Sequence, residues 1–321
     1  YHGLLSVDPN SIPAQVCASS SGCPSGGLCT ATSCGTTTAL APQGALYIPA
    51  GAKRPNQNLS GGFFWYTEGN SSYNGLQTDV TRRLTNGLQI RGNFTWSKSL
   101  DMNSGLTGAQ AQNQAQMVLN RNNVRQDWGP SALNASRQAS ISGTYALPFG
   151  RGKRFFGGAS GAADKIASGW QINGIATLLS GFPFTPQIGA NYSGDGDTRN
   201  PDRPSVNPAF TGPVVLGKPS QWFNPAAFVR PTPGTYGNLG RSVYYGPGLA
   251  NADVSVTKMT TIRESVSLQV RAEFFNLLNR SNFGTPNATV FSGTSVSPSA
   301  GLITTQATFP RQIQFGLKLV F

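Results

Sequence analysis

The chain ends on a strict alternation. From Phe309 onward, Ile313, Phe315, Leu317, Leu319 and Phe321 fall on one side of an extended backbone, while Gln312, Gln314, Gly316 and Lys318 fall on the other. Successive side chains of a strand point to opposite faces, so this segment has one oily and one wet face. Leu88 to Leu100 repeats the pattern, with Leu88, Ile90, Phe94 and Trp96 against Gln89, Arg91, Asn93, Thr95, Ser97 and Ser99. Weaker versions occupy 73–84, 136–148, 170–184, 249–262 and 265–279, and 1–7 reads as the end of an earlier strand. One such segment suits any half-buried strand of a soluble protein. A series of them, each about ten residues long, is what tilted strands need to cross hydrocarbon.

Pairing parity tests the series, because adjacent antiparallel strands must set oily residues opposite oily ones. A turn at 85–87 pairs Leu84 with Leu88 and Val80 with Gly92, and leaves Asp79 diagonal to Arg91. A turn around 262–264 pairs Val256 with Val270 and Val254 with Ala272, leaving Asp253 diagonal to Arg271 and opposite Glu273. Both hairpins keep their faces consistent. The connections are short at 85–87 and 262–264, moderate at 149–169, and long at 8–70, 101–135, 185–248 and 280–307. Structureless loops of that size argue against a compact soluble domain, whereas short periplasmic turns and long outer loops are expected of an outer-membrane barrel. With Phe321 on the periplasmic side, every long loop falls outside. Trp170, Tyr145 and Phe321 then join an inner aromatic girdle, and Trp96 and Phe274 an outer one. A soluble sandwich core is the competing explanation for the large residues, but it leaves wet-face charges such as Arg271 and Glu273 in need of partners.

The expected fold is therefore all-β: an antiparallel transmembrane β-barrel portion of about eight meandering strands spanning 1–321. So few strands are expected to form a curved open sheet rather than a closed small barrel. Composition agrees. Only 38% of the 321 residues are hydrophobic and 11% charged, with Gly 39 and Pro 22, and no run approaches the roughly 18 apolar residues of a membrane helix. The chain starts without Met or a signal-like segment and is read as a fragment or mature piece. Its charge of +12 comes from scattered residues, with no Lys/Arg block, so nucleic acid is not the expected partner.

Cys17, Cys23, Cys29 and Cys34 share a Ser/Gly/Thr-rich stretch with no Cys-x-x-Cys pair, and the single His2 is far from them in sequence. Two disulfides in an exported loop fit better than zinc, and four cysteines leave three pairings open.

Gly-Asn-Ser-Ser-Tyr-Asn-Gly-Leu-Gln (69–77), Leu-Thr-Asn-Gly-Leu-Gln (84–89), Phe-Thr-Trp-Ser-Lys-Ser-Leu-Asp (94–101) and Tyr-Ala-Leu-Pro-Phe-Gly-Arg-Gly-Lys-Arg-Phe (145–155) resemble the barrel of Oar-like TonB-dependent receptors. So do the segments at 169–185, 222–228, 271–280 and 311–321, in the same order along nearly the whole chain. The resemblance implies an importer of scarce ligands in the outer membrane of a Gram-negative bacterium. Its barrel of about 22 strands is plugged by an amino-terminal domain and energised through a TonB box. The plug and the TonB box are not found in this sequence, so the fragment is not expected to transport alone. The resemblance also implies that the ending, with Phe315, Leu317, Leu319 and Phe321, is the signal read by the barrel-assembly machinery. The expected partners are outer-membrane lipid, the protein's own plug domain, the TonB complex and that machinery. A surface adhesion or scaffold barrel, binding through its outer loops, shares every strand feature.

Candidate sites lie on loops and wet faces. Asp195, Asp197 and Asp202 bring three carboxylates into one outer loop, a pattern that suits either Ca²⁺ or an ordinary polar turn and lacks the Glu of an EF-hand. Trp222, Phe223, Phe228, Tyr236, Tyr244 and Tyr245 stand in the longest loop, where aromatic side chains either grip a ligand or pack on the rim. Arg91, Arg271, Glu273 and Asp253 either line a ligand path or pair with one another. No cofactor is expected. No Gly-x-Ser-x-Gly, His-Glu-x-x-His or phosphate loop occurs, so no enzyme activity is expected.

Overall fold

A computed structural model describes residues 2–29, 34–104, 115, 117–197, 199 and 202–321, without the side chains of 2, 27–29, 34–38 and 84–85. About 46% of the described residues are strand. Eight long strands make the wall: β1 (His2–Val7), β2 (Phe64–Thr85), β3 (Leu88–Asp101), β4 (Arg137–Ala146), β5 (Trp170–Leu179), β6 (Leu249–Arg263), β7 (Val266–Phe275) and β8 (Gln312–Val320). They pair antiparallel in strict chain order, and Gly129–Pro130 adds a ninth short strand on β3. The sheet stays open, as the strand count led one to expect, with β1 and β8 at its edges.

Parity holds from β2 to β8. Phe94 faces Ala139, which is two residues from Ile141 opposite Gly92, and Leu178, Val256, Ala272 and Phe315 continue the same face across β5 to β8. This face is bare: Phe315 is 78% and Leu317 74% exposed, and Leu76, Val80, Trp96, Ile141 and Leu178 are exposed as well. Leaving a Leu or Phe side chain in water forfeits about 1.5–3 kcal/mol, so the sheet needs an apolar solvent on this side. The other face carries Gln89, Thr144, Asn173, Ser255 and Glu273 and is concave across β3 to β7. Short connections lie at one end. Asn86 and Gly87 turn β2 into β3 with φ of 52° and 80°, the pair of positive values that a two-residue hairpin matched to strand twist requires.

The second hairpin corrects the expected register. Val254 faces Phe274 and Val256 faces Ala272, because Arg263 pairs with Val266 and the turn is centred one residue later than the sequence suggested. A bulge between Thr261 and Arg263 absorbs the odd residue, so the slide is by two and the faces survive. In the first hairpin Val80 faces Gly92 as expected, while Leu88 pairs with Thr85 rather than Leu84. The connection after β4 contains a helix, α1 (Gly161–Ala167).

The long loops are not structureless. They carry short paired segments, among them 183–184 with 244–245, 205–206 with 228–229 and 215–218 with 221–223. Their own core contains Phe184, Ile188, Phe223, Phe228, Leu239, Val290 and Phe291. A second cluster packs Met102 and Val118 on Leu5 and Val7 of β1. Buried ion pairs tie distant loops together: Arg203 to Asp127 at 2.8 Å, and Arg241 to Asp101. Arg54 and Arg199 flank Asp8 at 3.7 and 3.8 Å. The outer loops therefore fold as one body standing on the wall.

Candidate functional site

The wall alternates because its wet positions carry groups that bond to one another across strands. Thr144 Oγ1 donates to Asn173 Oδ1 at 3.0 Å, Gln171 Nε2 donates to the same oxygen at 2.7 Å, and Asn173 Nδ2 donates to Ser255 Oγ at 3.1 Å. The ladder crosses β4, β5 and β6 in the middle of the concave face, which encloses about 370 Å³. Two ion pairs flank it. Arg91 Nε meets Asp79 at 2.9 Å, on the diagonal that the hairpin parity indicated. Arg271 Nε lies 3.5 Å from Glu273 on its own strand, and the expected diagonal from Arg271 to Asp253 is not formed, because the register slide sets Arg271 opposite Thr257. Asp253 instead accepts from Asn251 Nδ2 at 2.9 Å and from the Asn276 backbone N–H at 2.8 Å. The Arg91 and Asp79 side chains remain 64% and 46% exposed, so this polar face stands in solvent rather than in a packed core. It can offer hydrogen bonds and both signs of charge to a polar solute.

The outer-loop candidates separate. Phe223 is fully buried, its ring 5.6 Å from that of Phe184 and 5.8 Å from that of Phe228, so it builds the loop core instead of meeting a ligand. Trp222 packs against that core and its Nε1–H donates to the Tyr245 carbonyl at 2.9 Å. Tyr244 packs at a tilt on Phe184 and edge-to-face on Phe228, and Tyr245 is the most open of the group at 39% exposure. Phe223, Phe228, Trp222 and Tyr244 thus pack on one another in the core of the loops.

Asp195, Asp197 and Asp202 do not assemble a cation site. Each turns its oxygens to local donors: Asp195 accepts from the Asp197 N–H at 2.8 Å and the Tyr236 hydroxyl at 3.0 Å, Asp197 from the Arg199 N–H at 2.9 Å, and Asp202 from the Ser193 N–H. Among the described residues, no three His, Cys, Asp or Glu side chains converge as metal ligands. Asx turns win because these short side chains reach their own backbone before they can reach a common point. Burial drives the Asp195 carboxyl well above its ordinary range, with Asp202 nearby adding to it. Burial likewise raises Asp202 to about 7, partly offset by its Ser193 hydrogen bonds. Tyr236 is pushed upward for the same reasons, burial first and the neighbouring Asp195 next.

Cys17 and Cys23 form a disulfide, and the backbones of Cys29 and Cys34 face each other across a hairpin. The side chains of Cys29 and Cys34 lie outside the described ones. At the end of β8, Phe315, Leu317, Leu319 and Phe321 stay exposed on the oily face. Sequence reading missed Asn173, which a polar amide at a mid-strand wet position signals, and Arg203 and Arg241. Nothing local marks those two arginines, since Arg241 pairs with a residue 140 positions away.

The model of a family described as an outer membrane beta barrel domain matches residues 6–314. No curated protein and no solved structure matches the chain. Meandering antiparallel topology, an oily outer face and a polar concave face agree with that match. The chain thus belongs to the outer membrane beta barrel domain family and resides in the outer membrane of a Gram-negative bacterium.

Proposed function

We propose that this wall is part of a receptor that takes up a scarce polar ligand across the outer membrane in the TonB-dependent manner. The observation that carries the reading is the concave face, where an Asn/Thr/Ser ladder and the Arg91–Asp79 and Arg271–Glu273 pairs stay open to solvent, as a water-lined passage needs. The resemblance of eight ordered segments to Oar-like receptors supplies the finer assignment. On this reading the plug domain sits against the concave face, the TonB complex supplies energy, and the barrel-assembly machinery inserts the wall.

The test is binding between the full-length protein and the purified periplasmic domain of TonB. Specific binding, with loss of growth on the imported nutrient when the gene is deleted, is the expected result. An adhesion or scaffold barrel is the second reading, favoured by the loops folding into one body with its own core. No TonB binding, together with loss of cell–cell or surface attachment on deletion, would select it.

A further inference from the structure

Between β4 and β5 the short-turn rim carries an unusual concentration of charge. Residues 147–169 bear Arg151, Lys153, Arg154 and Lys165 against one carboxylate, Asp164, whose Oδ1 already accepts the Arg151 backbone N–H at 2.8 Å. The segment is anchored to the oily side of the wall. Trp170 and Lys258 face each other in register, on the face that continues through Ile172 and Val256. Trp170 Nε1–H donates to the Ile166 carbonyl at 3.0 Å, and Lys258 Nζ donates to the carbonyls of Lys165 and Ser168 at 2.8 Å each. Both side chains thus hold the end of α1 against the outside of the sheet.

The apolar groups of the same segment point away from the protein. Phe155, Phe156 and Ile166 are all exposed, Ile166 at 70%. Phe156 sits at φ 58°, a left-handed backbone that a bulky residue avoids. The Phe149 ring, 5.8 and 6.0 Å from those of Phe155 and Phe156, braces the pair there. A cavity of about 380 Å³ opens beside them, bounded by Arg151, Lys153, Asp164, Ser168 and Trp170.

We propose that this segment is a phospholipid-binding foot. Phe155, Phe156 and Ile166 enter the acyl boundary of the periplasmic leaflet, and Arg151, Lys153 and Arg154 hold the phosphate of an anionic headgroup. The location follows from the family, since short turns face the periplasm and the leaflet there is built of phospholipid. The partner follows from continuity with the lipid-facing surface and from charge, because guanidinium forks match phosphate oxygens and aromatic rings suit the interface.

Full-length protein reconstituted in phosphatidylcholine vesicles containing about a fifth phosphatidylglycerol, then extracted in mild detergent, reports which lipid stays bound. Each basic group near an anionic leaflet is worth roughly fivefold in partition, so phosphatidylglycerol is expected to be enriched at least about fivefold over its bulk share. The combined variant R151Q, K153Q and R154Q is expected to bring that enrichment close to one. Extraction of the wild-type protein in roughly 0.5 M salt is expected to weaken it too, a measurement that stands if the variant fails to insert. Equal retention of both lipids by the wild-type protein, or enrichment untouched by both salt and substitution, overturns the proposal. Displacement of the lipid by soluble glycerophosphoglycerol alone also overturns it, since the site would then take a free phosphodiester without needing a membrane.

Discussion

Asp202 illustrates how a buried group sets the behaviour of the outer-loop body. Burial, which penalises the charged form, pushes its carboxyl from the ordinary carboxylate range up to about 7. A pKa raised on folding means that the folded loop prefers the neutral acid. The stability it contributes is present below about pH 4 and is lost as pH rises through about 7. Amide protection across 188–197, taken relative to the intrinsic exchange rate at each pH, should therefore be higher at pH 5 than at pH 8, and D202N should flatten that dependence. Equal protection at both pH values in the native protein would contradict it. Arg241 acts at longer range. Its guanidinium is buried with Asp101 and donates from Nε to the Asp127 carbonyl at 2.7 Å. R241M leaves a buried carboxylate without its cation, which costs about 3–5 kcal/mol and should open the outer loops to limited proteolysis while the strands stay protected. None of this was legible in the sequence, where Asp101 and Arg241 are merely two scattered charges. The acidic loop was legible as a cluster and misleading as a cation site, since residue types do not reveal that backbone N–H groups reach the carboxylates first.

Strands were the most legible elements, because a period of two is set by backbone geometry and one bilayer-facing side enforces it. β3 and β8 were read close to their observed bounds, and parity was right at both hairpins. Register was not: the bulge near Ile262 moved β7 by two residues relative to β6, a change that leaves every face intact and so gives no pattern to read. The length of β2 was also underestimated, since it begins at Phe64, where β1 pairs with it above the regular alternation. Parity gives a direct test. L317R places a charge on the oily face and should cost about 2–4 kcal/mol, seen as loss of the heat-modifiable folded band in vesicles. Q314R sits on the wet face of the same strand beside Glu273 and should fold normally. Equal effects of the two substitutions would contradict the assignment of faces.

At the scale of the whole molecule, the wall is an open sheet whose edges are β1 and β8, and a body of interlocked loops caps one end. Topology and loop placement were legible because loop lengths alternate, but the loop body was not, since its core joins residues from 184 to 300 with no shared periodicity. Unpaired edges invite strand addition, so the sheet needs neighbours to close. Phe321, 92% exposed at the short-turn rim, continues the oily face of β8. If the barrel-assembly machinery reads this ending, deleting Phe321 from the full-length protein should lower its outer-membrane level, and an unchanged level would remove that role. The central claim is that one face of the sheet meets lipid and the other water. Spin labels attached through a genetically encoded ketone residue at each position from 312 to 320, in the full-length protein in vesicles, measure it directly. Oxygen, which dissolves in lipid, should accelerate spin relaxation at Ile313, Phe315, Leu317 and Leu319, and a water-soluble nickel reagent should do so at Gln314, Gly316 and Lys318. Uniform access of the nickel reagent to all of these positions would contradict the account.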